Sequence, residues 1–250
     1  MRLIYPPAHG LAAELSLDDL AQLYARPQGQ DTWVRANFVS TLDGAATGAD
    51  GLSNSINDPA DQKVFGLLRA LTDVVLVGSG TVAAEHYRAM SLTDEQRAVR
   101  ATTGRSGVPT LAIVSRSLDL PATQLAPGEG RVIVLHPSEC DVAKRAEVAE
   151  ALGADNVIEA GDGWVDPARA VQVLAERGLR QVLCEGGPTL MGMLVAGGAL
   201  DELCLTWSPL AVGGVHPRIL NGPPVEQSWQ LGHLLEQDGV LIGRWVAERS

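Results

Sequence analysis

Short apolar runs closed by Gly or Pro alternate along this chain with stretches whose apolar positions recur every three or four residues. The runs "DVVLVGSG", "PTLAIVSR", "RVIVLHP", "NVIEAG" and "RQVLCEGG" predict buried strands. Between them, "SECDVAKRAEVAEALG", "DPARAVQVLAERG" and "PTLMGMLVAGG" predict helices, the first closed by Gly153 and the second opened by an Asp-Pro pair and closed by Gly178. Nearer the N-terminus, "SLDDLAQLYA" predicts a short helix with Ser16 as N-cap and Asp19 at the capping-box position. "WVRANFVSTLDG" predicts a strand that turns at Asp43-Gly44. "DPADQKVFGLLRAL" predicts a helix capped by Asp58, with Val64, Leu67, Leu68 and Leu71 on one face. Residues 45–57 read as a loop, "TVAAEHYRAM" as a turn or short helix, and 91–107 as a charged segment with no strand pattern. From Leu200 onward the texture is β-rich: "DELCLTWSPLAVGG", "WQLGHLLEQDG" and "VLIGRWVAER" predict strands, with Asp238-Gly239 a hairpin turn.

Alternating strands and helices imply an α/β fold: a mostly parallel central sheet with helices on both faces. The β-rich tail adds antiparallel strands at its edge. No linker and no repeat of solenoid period interrupts the pattern, so one domain over residues 1–250 is expected, with 1–30 as a lead-in.

Composition narrows the partners. Hydrophobic residues make up 46% of the 250, but aromatics only 4%, so the core must be Leu, Val, Ile and Ala. The net charge is −11 and no segment is rich in Lys or Arg, which argues against nucleic acid and anionic membrane as partners. Cys140, Cys184 and Cys204 form no C-x-x-C pair; with no apolar signal core in "MRLIYPPAHG", a reducing, cytoplasmic setting is expected. The histidines His9, His86, His136, His216 and His233 lack metal-ligand spacing, so no metal site is expected. The chain also lacks a G-x-S-x-G elbow and a P-loop, the parts that hydrolases and kinases need.

Three stretches carry candidate chemistry. In "VVLVGSGTVA", Gly78, Gly80 and Ala83 satisfy a G-x-G-x-x-A pattern after a strand. A Rossmann site also needs a second strand ending in an acid roughly 20 residues on, and residues 91–107 offer none. A tight turn after a buried strand, or a nucleotide-contacting loop in another α/β fold, are the remaining readings. In "VLCEGGPTLMGMLV", Gly186 and Gly187 follow a strand and Pro188 opens a helix. A helix N-terminus suits a pyrophosphate, and glycine lets it approach the backbone. Glu185 sits where ligands meet the carboxyl ends of parallel strands. In "SRS", Ser115 and Arg116 could take a ribose 2′-phosphate, which would select NADPH over NADH; an exposed surface turn is the plainer alternative.

Taken together, "VRANFVSTLDGAAT", "LLRALTDVVLVGSGTV", "IVSRS" and "VLCEGGPTL" with "LVAGGALDELCLTWSPLAVGG" resemble the bacterial pyrimidine reductases of riboflavin biosynthesis. This is the reductase domain of the RibD type, within the dihydrofolate-reductase-like superfamily, and the resemblance spans roughly residues 32 to 245. It implies a dihydrofolate-reductase-like fold, bound NADPH, hydride transfer to a pyrimidine- or pterin-type small molecule, and a homodimer. It implies cofactor contacts at Ser40, Gly78, Thr81, Glu85, Ser115 and Arg116, and a phosphate cradle from Gly186 to Met193 that includes Gly187, Pro188, Thr189 and Leu190. It places Asn37, Ser53, Arg69 and Glu185 at the substrate, with Arg69 as partner for a substrate phosphate or carboxylate. Glu85 and Glu185 are the two candidates to tune or relay a proton.

One loop departs from the family. Where the riboflavin reductases read T-V-x-x-D-[DN]-P-x-L-T-x-R, this chain reads "TVAAEHYRAM": Glu85 replaces the Asp, and the Pro and following Arg are absent. The zinc deaminase signatures H-x-E and P-C-x-x-C are also absent. A stand-alone reductase is therefore expected, with a shift of substrate toward a dihydropterin or dihydrofolate as the alternative. A non-catalytic NADPH-binding protein and a Rossmann-type dehydrogenase or methyltransferase are the rivals from other classes.

Overall fold

The computed structural model describes residues 1–6 and 14–248. The strands are β1 (Arg2–Tyr5), β2 (Trp33–Thr41), β3 (Val74–Gly78), β4 (Thr110–Val114) and β5 (Val132–His136). They continue as β6 (Val157–Glu159), β7 (Gln181–Cys184), β8 (Glu202–Ser208), β9 (Trp229–Gln237) and β10 (Val240–Ala247). The helices are α1 (Leu17–Leu23), α2 (Pro59–Ala70), α3 (Ser79–Ala84) and α4 (Asp94–Thr102), then α5 (Ala122–Leu125), α6 (Val142–Leu152), α7 (Pro167–Glu176) and α8 (Pro188–Ala196). All ten strands join one sheet in the order β1-β9-β10-β8-β2-β7-β3-β4-β5-β6. The stretch β8-β2-β7-β3-β4-β5-β6 is parallel, and β10, β9 and β1 extend it antiparallel.

Residue alternation along each strand sorts the core into two sides. Val74, Leu76, Val182 and Cys184 pack with Leu174 of α7 and Leu190 and Leu194 of α8. Their neighbours face the other way: Leu183 meets Leu20, Val64 and Leu68 of α1 and α2, and Val75 and Val77 meet Val82 and Val148 of α3 and α6. Helices thus cover both faces of an α/β fold, as the sequence predicts.

Several expected caps form as the sequence implies. Ser16 and Asp19 close a capping box, and Asp58 and Asp166 cap α2 and α7 ahead of a proline. Asp238 and Gly239 both take positive φ, 52° and 86°, the backbone a two-residue primed hairpin turn requires.

Other expectations need correction. The charged segment 91–107 contains α4, capped by Thr93 with Gln96 in a capping box. Its anchor is polar and therefore silent in an apolar pattern: Arg100 is buried and donates to the carbonyls of Ala70, Thr72, Ser106 and Gly107. Within the lead-in, Arg2–Tyr5 forms β1 and pairs with β9, so the antiparallel edge is closed by the N-terminus rather than by the tail. Residues 7–13 of that lead-in, which include His9, lie outside the described residues. The tail's first strand stops at Ser208, and β8 is parallel to β2, not antiparallel. Asp43 does more than order its own turn: it accepts from Thr41 Oγ1 and from the backbone N–H groups of Val212 and Gly213, which lashes the following loop to β2.

Candidate active site

The site gathers at the carboxyl ends of β2, β7 and β3, where a parallel sheet leaves its last backbone groups and its ligand crevice. A cavity of about 610 Å³ opens there, lined in part by Asn37, Asp61, Arg69, Thr81, Tyr87 and Glu185. Helix α2 supplies one wall. Asp61, Phe65 and Arg69 are four residues apart, so they share one helical face, and all three line the cavity.

Glu185 sits one residue past β7, and its backbone N–H donates to Leu76 of β3 at 3.0 Å. Its carboxylate is fully engaged. Arg69 donates through Nε to Oε1 at 2.7 Å and through Nη2 to Oε2 at 2.6 Å, a bidentate fork. Tyr87 Oη donates to Oε2 at 2.7 Å. The Arg69 guanidinium lies over the rings of Phe65 (4.1 Å) and Tyr87 (5.6 Å). Burial disfavours the charge on Arg69, but Glu185 outweighs it and raises its pKa; burial first and then Glu185 push the Tyr87 phenol well above its usual value.

On the same wall, Asp61 is buried, and among the described residues it forms no ion pair. Its carboxylate meets the Thr206 hydroxyl of β8, and burial raises its pKa from 3.8 to about 6. Asn37 is also buried, and its Oδ1 makes no hydrogen bond. Ser53 and Glu85 also line the cavity: Ser53 donates its hydroxyl at 2.8 Å and its backbone N–H at 3.2 Å to Glu85 Oε1.

A second zone adjoins the cavity where β7 and β3 run into α8 and α3. Gly78 N–H donates to the Gly186 carbonyl at 2.8 Å, so the two glycine turns are stitched together. Gly186 has φ +94°, a conformation that favours glycine, and a Cβ on Gly187 would stand 2.5 Å from Thr81 Oγ1, so Gly187 lets the Thr81 hydroxyl approach the turn. α3 and α8, like the one-turn α5, have no side-chain N-cap, whereas α1, α2, α4, α6 and α7 do. Two adjacent helices therefore carry no side chain over their first turns, α8 offering the N–H groups that follow Pro188, beside side-chain-free backbone, a setting that fits the phosphates of a dinucleotide. Gly187, Pro188 and Thr81 also line the cavity, so the two zones are continuous.

The sequence-derived residues divide accordingly. Asn37, Ser53, Arg69, Thr81, Glu85, Gly187, Pro188 and Glu185 meet in the cavity. Gly78 and Gly186 do not line it but adjoin Gly187, which does; Thr189 and Leu190 lie in the first turn of α8, with Leu190 packed into the core. Ser40 is buried and donates to the carbonyl of Thr41, and it does not line the cavity. Ser115 and Arg116 follow β4, farther along the strand ends; Ser115 Oγ accepts from Leu118 N–H, and Arg116 lies over the Trp164 ring. Asp61, Phe65 and Tyr87 are absent from the sequence-derived set. The four-residue spacing with Arg69 could have found the first two. Tyr87, in a stretch read as a turn or short helix, had no such signal.

No group of three or more His, Cys, Asp or Glu among the described residues could hold a metal ion. Among the described residues, no helix is long and apolar enough to cross a membrane.

Known proteins resemble this chain in sequence and fold. A reductase from Methanothermobacter thermautotrophicus, named for 2,5-diamino-6-ribosylamino-4(3H)-pyrimidinone 5′-phosphate, is 30% identical over 188 residues, covering 75% of this chain and 82% of that one. The Archaeoglobus fulgidus protein of the same name is 27% identical over 183 residues, 73% of this chain and 82% of that one. In fold, the crystal structure of a pyrimidine reductase-like protein from Corynebacterium diphtheriae superposes with a TM-score of 0.75 at 24% identity, covering 92% of this chain and 99% of that one. The model of the RibD C-terminal domain matches residues 32–241, and the chain belongs to that family.

Proposed function

We propose that this protein is an NADPH-dependent reductase acting on a ribosylaminopyrimidine phosphate, working as one domain and as a homodimer. The observation that carries the reading is the continuity of the two zones: an open phosphate cradle at α3 and α8 leads into a cavity walled by the Glu185–Arg69–Tyr87 cluster. Family membership and the names of the relatives support the reaction class.

Reduced nicotinamide dinucleotide, when bound, supplies the hydride. Gly78, Gly186, Gly187 and the first turns of α3 and α8 would hold its phosphates. The chain's other residues place the substrate. The Glu185 carboxylate, fixed by Arg69 and Tyr87, presents one rigid polar wall, and the orphaned Asn37 Oδ1 offers an acceptor for a ring N–H or amino group. Reduction also consumes a proton. Glu185 is held by two donors and Glu85 by Ser53, whereas Asp61 keeps its proton up to about pH 6 and is the buried acid best placed to hold one in this cavity. For the dimer, β8 and β10 leave Leu205, Trp207, Leu241 and Trp245 half-buried on the face opposite α1 and α2.

The test is loss of NADPH absorbance on addition of the ribosylaminopyrimidinone phosphate, with dihydrofolate run alongside. Turnover of the first is the expected result. Dihydrofolate turnover alone would move the substrate to the pterins, and no oxidation of NADPH with either, together with no NADPH binding by calorimetry, overturns the proposal.

A further inference from the structure

Three acids line the cavity among the described residues: Asp61, Glu85 and Glu185. Two are already engaged. Glu185 gives both oxygens to Arg69 and Tyr87, and Glu85 accepts the hydroxyl and the backbone N–H of Ser53. Asp61 is different. It is only 3% exposed, in the first turn of α2, and among the described residues its carboxylate has one partner, the Thr206 hydroxyl, which donates to Oδ1. Among those residues Oδ2 makes no hydrogen bond. The charge that acts on the group is that of Asp58, a second acid, and the Arg69 guanidinium two turns along the helix is spent on Glu185.

A buried carboxylate with one hydrogen bond calls for further donors, and here only a ligand in the cavity can bring them. The neighbouring strand adds to the demand. Val39 of β2 is in register with Thr206, and Asn37 lies two residues back on the same face, about 7 Å along the strand. Asn37 Oδ1 is a buried acceptor without a donor. Asp61 and Asn37 thus both line the cavity and both keep an acceptor unused. A ligand edge with two parallel N–H groups matches a carboxylate as a guanidinium does, whereas an edge with one N–H and one carbonyl sets oxygen against oxygen. A pyrimidine ring can present either. With an amino group at C2, its C2–N3 edge offers an exocyclic N–H beside the ring N3–H. With an oxo group at C2, the same edge offers the N3–H beside a carbonyl.

We propose that Asp61, oriented by Thr206, reads the C2–N3 edge of the substrate's pyrimidine ring and selects the ring with an amino group at C2 over the ring with an oxo group there. Asp61 is then a specificity-determining residue and Thr206 a positioning one. Each carboxylate oxygen has two acceptor sites, so Oδ1 can keep the Thr206 hydroxyl and take one ring donor while Oδ2 takes the other. This rests on the reading of the protein as a reductase of a ribosylaminopyrimidine phosphate, and it names which ring that substrate carries.

The experiment measures kcat/KM of the full chain, with NADPH, on the two ribosylaminopyrimidine phosphates that carry an amino or an oxo group at C2. The wild-type protein is expected to prefer the 2-amino ring by on the order of 100-fold, because a site built for an N–H group rejects the ring that lacks it. Asp61→Asn turns one acceptor into a donor, and a carboxamide matches the N–H and carbonyl of the 2-oxo edge. The preference should then fall by about tenfold or more. Loss of a proton from the cavity would lower turnover of both rings alike and leave their ratio unmoved, so the ratio separates recognition from proton supply. A wild-type preference below about tenfold, or a ratio that Asp61→Asn moves by less than that, overturns the proposal even though NADPH is oxidised. No oxidation of NADPH with either ring overturns the underlying reductase reading instead. Should Asp61→Asn fail to fold, the ratio is read on Thr206→Val, where loss of the positioning hydroxyl should lower it about fivefold. An unmoved ratio in that variant overturns the proposal as well.

Discussion

Two buried carboxylates on the same face of the sheet each hold arginines, yet they stand in opposite relations to the rest of the molecule. Glu202 opens β8 with no exposed surface, and it accepts from Trp33 Nε1 at 2.8 Å, from Arg35, and from Arg244 Nη2 at 2.9 Å. Arg35 Nη2 and Arg244 Nη1 also donate to the carbonyls of Tyr24 and Leu23, so the cluster fastens the end of α1 to the sheet. Glu185 also accepts a bidentate arginine, but its cluster opens on the cavity: the Arg69 side chain is 25% exposed, against 8% for Arg35 and 13% for Arg244. The strand register explains the difference. Arg35 pairs with Leu183 and with Glu202, two residues before the level of Glu185, so one cluster lies inside the sheet and the other at its carboxyl edge. A paired carboxylate one dipeptide repeat deeper is a rivet, and at the strand end it is a wall for ligands.

The sharpest way to break this comparison is Glu202→Ala. It leaves two buried guanidinium groups uncompensated and should cost about 3–5 kcal/mol of stability in a denaturant titration, while folded protein still binds NADPH. A loss under about 1 kcal/mol would place the two clusters in one class.

Next in size, Glu185→Gln keeps the shape of the wall and removes the charge that fixes Arg69. Turnover should fall about 30-fold or more, equivalent to roughly 2 kcal/mol, with NADPH affinity changed by less than about twofold. Equal losses in turnover and in cofactor affinity would count against a substrate-facing role.

The smallest effect separates the carboxyls by pH. Burial would raise the Glu202 pKa, but Arg35 and Arg244 outweigh it and hold it at about 2, below its ordinary 4.5. Its contribution to stability is present above pH 4.5 and lost as the pH falls toward 2. Asp61 has the opposite sign: its pKa is raised by burial from 3.8 to about 6, so its contribution is present below pH 3.8 and lost as the pH rises through 6. Asp61→Asn should therefore raise stability at pH 7 relative to pH 4, by on the order of 1–2 kcal/mol, and remove a group with an apparent pKa near 6 from the pH profile of turnover. A profile unchanged in Asp61→Asn would show that the reaction takes its proton elsewhere.

Glu185 beside two glycines was legible in the chain because glycine runs and strand ends mark themselves locally. Arg69 was legible through the family pattern, but its partner was not. Nothing in the spacing of residues 69 and 185 says that the arginine answers the carboxylate rather than a substrate phosphate, and Tyr87 enters the cluster from a loop that departs from the family. The Glu202 cluster was invisible for the same reason: its cations come from β2 and β10, far apart in sequence.

The amino-acid sequence by itself determined the alternation of elements, the caps of α1, α2 and α7, the hairpin at Asp238-Gly239 and the glycine turn after β7. Each depends on periodicity or on a side chain bonding backbone within a few residues of itself. Only the tertiary structure decided that β1 closes the sheet, that α4 is anchored by Arg100, that Asp61 lines the cavity against Thr206, and that Arg116 meets Trp164. Those are long-range pairings of polar groups. A polar residue's partner depends on which strands become neighbours and how deeply the pair is buried, and the local pattern of apolar positions encodes neither.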